Sequence, residues 1–121
     1  MTDSRCWIDV REDKDLTARL LAASPPGKDL DPGRIGLGYR YLWICDLREW
    51  AARKGVPIEY PDFGWIVEQV TVNKPQLLEF LEDMFGPVQT GTAQGNSDTL
   101  RTLVREHGDE HCRYRILADE Y

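Results

Sequence analysis

The stretch from Trp65 to Pro87 constrains this chain more than any other. Trp65-Ile-Val-Glu-Gln-Val-Thr-Val72 is rich in β-branched residues, which fit the pleated, half-buried surface of a strand. Asn73 follows, with a side-chain oxygen able to accept from the orphan N–H groups of a helix start. Pro75 stands in the first turn and Gln76 at the capping-box position. Leu77, Leu78, Leu81 and Phe85 form one apolar stripe, with Glu79, Glu82 and Asp83 outside it; Gly86 and Pro87 end the helix. A strand running directly into a capped amphipathic helix requires a domain that mixes α and β structure.

The remaining segments extend that pattern. Arg5 to Val10 alternates Cys6, Ile8 and Val10 on one face and reads as a first strand. Asp15 is expected to cap a short helix, Leu16 to Ala23, with Leu16, Leu20 and Leu21 on one side. A loop over 24–38, broken by Pro25, Pro26 and Pro32, leads into a helix over Tyr39 to Lys54, whose stripe is Tyr39, Trp43, Leu47 and Trp50. Basic residues in its last turn and Gly55 suit its end. Val56 to Gly64 is an extended connector with room for a short edge strand at Pro57 to Tyr60. A second polar loop spans 87–97. Asn96 or Ser97 can then cap a helix from Asp98 to His107, striped by Leu100, Leu103, Val104 and His107. Cys112 to Ala118 reads as the last strand, with Arg113 and Arg115 facing away from Cys112, Tyr114 and Ile116.

The predicted order is therefore strand, helix, helix, strand, helix, helix, strand. The economical fold is α+β: a small sheet of three to four strands with about four helices packed mainly on one face, in a single globular domain over 1–121. The other sheet face would carry Arg5, Trp7 and Asp9 of the first strand and Arg113 and Arg115 of the last. Trp7 among arginines suits a contact surface, because Trp and Arg are enriched at binding hot spots; it equally suits a small secondary core.

Composition narrows the function. A formal net charge of −6 disfavours generic binding to nucleic acid or anionic membranes, which need a positive face; it permits a basic protein partner, with solubility alone the simpler reason for it. Three widely spaced cysteines, Cys6, Cys45 and Cys112, fit reduced thiols in the cytoplasm better than a secreted disulfide framework. No apolar run resembles a signal peptide or a membrane span.

Candidate chemistry is sparse. His107, His111 and Cys112 resemble half of a Cys/His metal module, but the matching cysteine pair is missing. No cysteine stands at a helix N-terminus or in a glycine-rich turn, where its pKa would fall. Gly33, Gly36 and Gly38, flanked by Arg34 and Arg40, could cradle an anion through backbone amides; the spacing is neither a P-loop nor a dinucleotide fingerprint, and a flexible lead into the next helix is the simpler expectation.

These readings converge on a small acidic protein without catalytic residues, metal or cofactor, which inhibits another protein by stoichiometric binding. An immunity protein for a nuclease-like toxin is the concrete version. A phage-type inhibitor of a nucleic-acid-guided defence complex follows the same physics. The rival is a small metal or thiol enzyme built on Cys112, His107 and His111. Partner contacts are expected at Glu79, Glu82, Asp83, Asp109 and Glu110, with Trp7, Arg113 and Arg115 on the sheet. Oligomeric state stays open.

Overall fold

The computed structural model describes residues 4–23, 33–40, 43–60, 67–86 and 95–120. Within them the order is β1 (Ser4–Asp9), α1 (Lys14–Ala23), β2 (Arg34–Arg40), α2 (Trp43–Lys54), β3 (Val67–Val72), α3 (Lys74–Phe85), α4 (Gly95–His107) and β4 (Tyr114–Glu120). The strands form one antiparallel sheet in the order β2-β1-β4-β3. The α+β class expected from the sequence is thus the observed one.

One sheet face carries the core. Cys6, Ile8, Ile35, Val70, Val72, Tyr114, Ile116 and Ala118 point to it, as period-2 alternation requires, and all four helices pack their buried residues against it. Leu16 and Leu20 come from α1, Trp43, Leu47 and Trp50 from α2, Leu77, Phe80 and Leu81 from α3, and Leu100 and Val104 from α4. Phe80 is the hub: Trp50 meets it edge-on at 5.1 Å between ring centroids, and Trp43 stacks at 6.3 Å. Each such side chain contributes about 1.5–3 kcal/mol by leaving water.

The helix that opened the sequence reading forms as expected. Asn73 accepts from the Gln76 N–H at 2.9 Å, and the Gln76 side chain accepts from the Asn73 N–H at 3.0 Å. Gly86 closes the helix with φ near 70°, and its N–H donates to Glu82. A buried arginine from α4 completes that end. Arg101 donates to the carbonyls of Gly86 at 2.6 Å and Leu81 at 3.1 Å, placing a cation at the negative pole of α3.

Other expectations need correction. The largest is Arg34–Arg40: this is not loop and helix start but strand β2, paired with β1 from Ser4↔Arg40 to Asp9↔Arg34. Its alternation of Ile35 and Leu37 toward the core is hidden by Gly36 and Gly38, so the run imitates a loop. The following helix begins at Trp43, not Tyr39. The order consequently gains a strand between the first two helices. Helix α1 is capped by Asp13, whose carboxylate accepts from the Leu16 N–H at 3.1 Å, rather than by Asp15, which instead pairs with Arg19 at 2.9 Å on the surface. Leu21 is exposed and is not part of the stripe. Helix α4 starts at Gly95, so Ser97 lies buried within its first turn instead of capping it. The last strand starts at Tyr114, because 109–112 form a tight turn. The edge strand expected at Pro57 to Tyr60 is reduced to one two-bond bridge, Glu59 with Gln69. The expected strand start at Trp65 and Ile66, the turn at Pro61 to Gly64, and the loop stretches 24–32 and 87–94 lie outside the described residues.

Candidate functional site

Two charged regions meet at the end of the sheet where β1 finishes and β4 begins. One lies toward the helices. After β1 the chain turns through Arg11, Glu12 and Asp13 into α1; after α4 it turns through Gly108 to Cys112 into β4. Tyr114 locks the two turns together. Its buried hydroxyl donates to Asp13 Oδ2 at 2.8 Å and accepts from the Asp109 N–H at 3.0 Å, which also reaches Asp13 Oδ2 at 3.2 Å. Burial and the bond to Asp13 hold the Tyr114 phenol well above its ordinary pKa, so it stays a donor. The Asp109 carboxylate closes the turn by accepting from the His111 N–H at 2.8 Å, and Glu12 accepts from the Arg113 N–H at 2.6 Å. Glu12, Glu106, Asp109 and Glu110 all remain exposed around this fixed backbone.

The second region is the sheet face away from the helices. Trp7 and Leu117 form a small cluster there, with Trp7 only 5% exposed. Arg5 stacks over the Trp7 ring at 4.4 Å and pairs with Asp119 at 2.9 Å; Arg34 lies 5.8 Å from the same ring. Asp9 is the buried carboxylate of this face. It accepts from the Arg11 backbone N–H at 3.0 Å, from Arg11 Nε at 3.1 Å and from Arg11 Nη2 at 2.9 Å, with Arg34 Nε further off at 3.4 Å. Burial by itself would raise the Asp9 pKa; the hydrogen bonds and charge of Arg11, with the charge of Arg34, reverse that and lower it.

The expected partner-binding residues therefore fall in different places. Asp109 and Glu110 stand together on the braced turn. Glu79 and Asp83 are engaged within the molecule: Lys54 of α2 pairs with Glu79 and lies 3.6 Å from Asp83, and the Trp50 indole N–H donates to Asp83 at 3.0 Å. Only Glu82 of that trio projects without such a bond among the described residues. Lys74 donates to the Gly108 carbonyl, so the 109–110 turn adjoins the start of α3, whereas Asp83 lies about 13 Å further along that helix. Trp7 is an interior residue of the second face. Arg113 is exposed, and Arg115 is half-buried on that face.

The metal and thiol candidates gain nothing from the geometry. Among the described residues no group of three His, Cys, Asp or Glu side chains is arranged to hold a metal ion. His111 is exposed, and His107 faces Glu106 at 3.8 Å. Partial burial and the carboxylates of Asp109, Asp13 and Glu12 push the Cys112 thiol up, away from the thiolate a nucleophile needs.

Asp13 and Arg11 escaped the sequence reading, which placed Asp9 on the second face but gave it no role of its own. The one available signal for Asp13 was its place three residues before Leu16, the N-cap spacing. Comparison with known protein families, with curated proteins and with solved structures finds no match to the chain. No helix among the described residues is long and apolar enough to cross a membrane.

Proposed function

We propose that this chain works by stoichiometric binding of a protein partner with a basic surface, as an immunity protein does when it neutralises a nuclease-like toxin. The observation that carries the reading is the braced acidic turn. Asp109 and Glu110 are exposed on a backbone already fixed by buried Asp13 and Tyr114, so little ordering remains to be done on association. Glu12 and Glu106 lie at its margin and add to the same local field. Carboxylates held this way would steer a Lys- and Arg-rich surface during approach and occupy the positions its phosphate ligands otherwise take.

The test is kinetic. The native complex is purified by affinity capture, and association is followed for the native chain and for Glu110→Lys. The reading expects the variant to associate on the order of tenfold more slowly at low salt, with the difference closing as salt is raised. An association rate indifferent to both salt and Glu110→Lys would overturn it. Glu82→Lys serves as the comparison, since Glu82 stands on α3 and the proposal centres on the turn.

A further inference from the structure

We infer that Arg34 and Arg115 form a binding site for a phosphate group, on the sheet face away from the helices and above Asp9. The site follows from the charges that three neighbouring strands bring to one face of the sheet. The register places Asp9 of β1 directly between Arg34 of β2 and Arg115 of β4. Directly opposed residues share a face, so both arginine side chains leave the sheet on the side of this one carboxylate. Yet Arg11 already satisfies Asp9, through its backbone N–H and two guanidinium nitrogens. Arg34 is left with a single marginal contact at 3.4 Å, and Arg115 has no ion pair among the described residues.

Among the described residues, two guanidinium groups on this face are therefore left without a close carboxylate of their own. Glu12 accepts from the Arg113 N–H and Glu59 from the Thr71 hydroxyl at 2.8 Å; both keep their charge, and neither pairs with Arg34 or Arg115 among the described residues. Arg34 and Arg115 stem from strands two apart, about 9.6 Å between backbones. Side chains of that length, leaning inward, can place their forks on opposite sides of one tetrahedral anion. Phosphate fits this site better than a carboxylate does. Its charge of about −1.5 to −2 at neutral pH matches two guanidinium groups, and its several oxygens accept from two forks at once. Arg34 is further held by Trp7 beneath it, so one of the two forks is already positioned.

The site is independent of the acidic turn and does not rest on the proposed inhibitor role. Inorganic phosphate and a small phosphomonoester present the same chemistry from two sources. Thermal unfolding is measured in each, and in acetate and chloride, at matched ionic strength. Native protein at about ten times the dissociation constant of phosphate should gain about 5 °C over chloride. Arg115→Gln and Arg34→Gln should each lose that gain while retaining any general salt effect. Stabilisation by the phosphomonoester but not by inorganic phosphate would assign the site to an organic phosphate; the reverse would assign it to the free ion. Equal stabilisation by acetate, or a phosphate gain that survives both substitutions, would overturn the site. Titration calorimetry with inorganic phosphate on the folded native protein and Arg115→Gln gives a second readout that does not depend on unfolding.

Discussion

Arg101 shows how much one side chain can hold. It is 3% exposed, and its guanidinium meets two backbone carbonyls at the end of α3, Gly86 and Leu81, rather than a carboxylate. Arg101→Met keeps most of the apolar stem but leaves both carbonyls without this donor. The expected loss is about 2–4 kcal/mol in urea unfolding, from two charge-assisted bonds and the desolvated acceptors left behind. A loss below about 0.5 kcal/mol would mean the carbonyls find other donors. Tyr114 makes a smaller case: Tyr114→Phe removes one donor to Asp13 and one acceptor for Asp109, with about 1–2 kcal/mol expected. The sequence could place Tyr114 on the core face of a strand by alternation. It could not reveal that the hydroxyl reaches a residue 101 positions away, because contacts at that separation depend on the strand order.

At the scale of elements, β2 depends on how the chain enters it. Gly33 has φ near 90°, and a Cβ there would stand 2.4 Å from Arg11 Cγ. Its carbonyl accepts from the Val10 N–H at 2.8 Å, tying the entrance of β2 to the end of β1. Gly33→Ala is expected to cost about 1–3 kcal/mol through left-handed strain and to push Arg11 from Asp9. Chemical denaturation checks the first part, and loss of the acid dependence described below checks the second. Helix α3 and strand β2 also show why one element is legible and another is not. Asn73, Pro75, Gln76 and Gly86 each act through their immediate neighbours, so local chemistry announces α3. Gly36 opposes Trp7 in a strand with little local preference for extension, and pairing with β1 gives β2 its form.

At the scale of the whole molecule, two of the charged groups among the described residues lie on different sides of the sheet. Glu12, Asp109 and Glu110 stand exposed at the braced turn, while Arg5, Arg11 and Arg34 surround Trp7 and Asp9 on the far face of the sheet. The formal charge of −6 gives the sum and conceals this division. Asp9 makes it measurable. Its pKa is lowered in the folded state, so its contribution to stability is full above the unfolded value near 3.8 and is lost as pH falls below that toward the folded value. Asp9→Asn should be less stable than native protein at neutral pH, and the gap should narrow in that acid range. A constant gap would show that the ion pairs with Arg11 and Arg34 carry no net weight. Glu110 and Asp109 could be named from the sequence as acidic residues beside a helix end, but not as members of a fixed turn, because Asp13 and Tyr114 brace them from distant segments.

The most direct measurement is a titration of the captured partner's activity against this chain. Binding as proposed predicts a linear fall in activity that reaches its floor at one equivalent and returns when the complex is dissociated. Loss of activity at far below one equivalent, or activity that stays lost after separation, would contradict it.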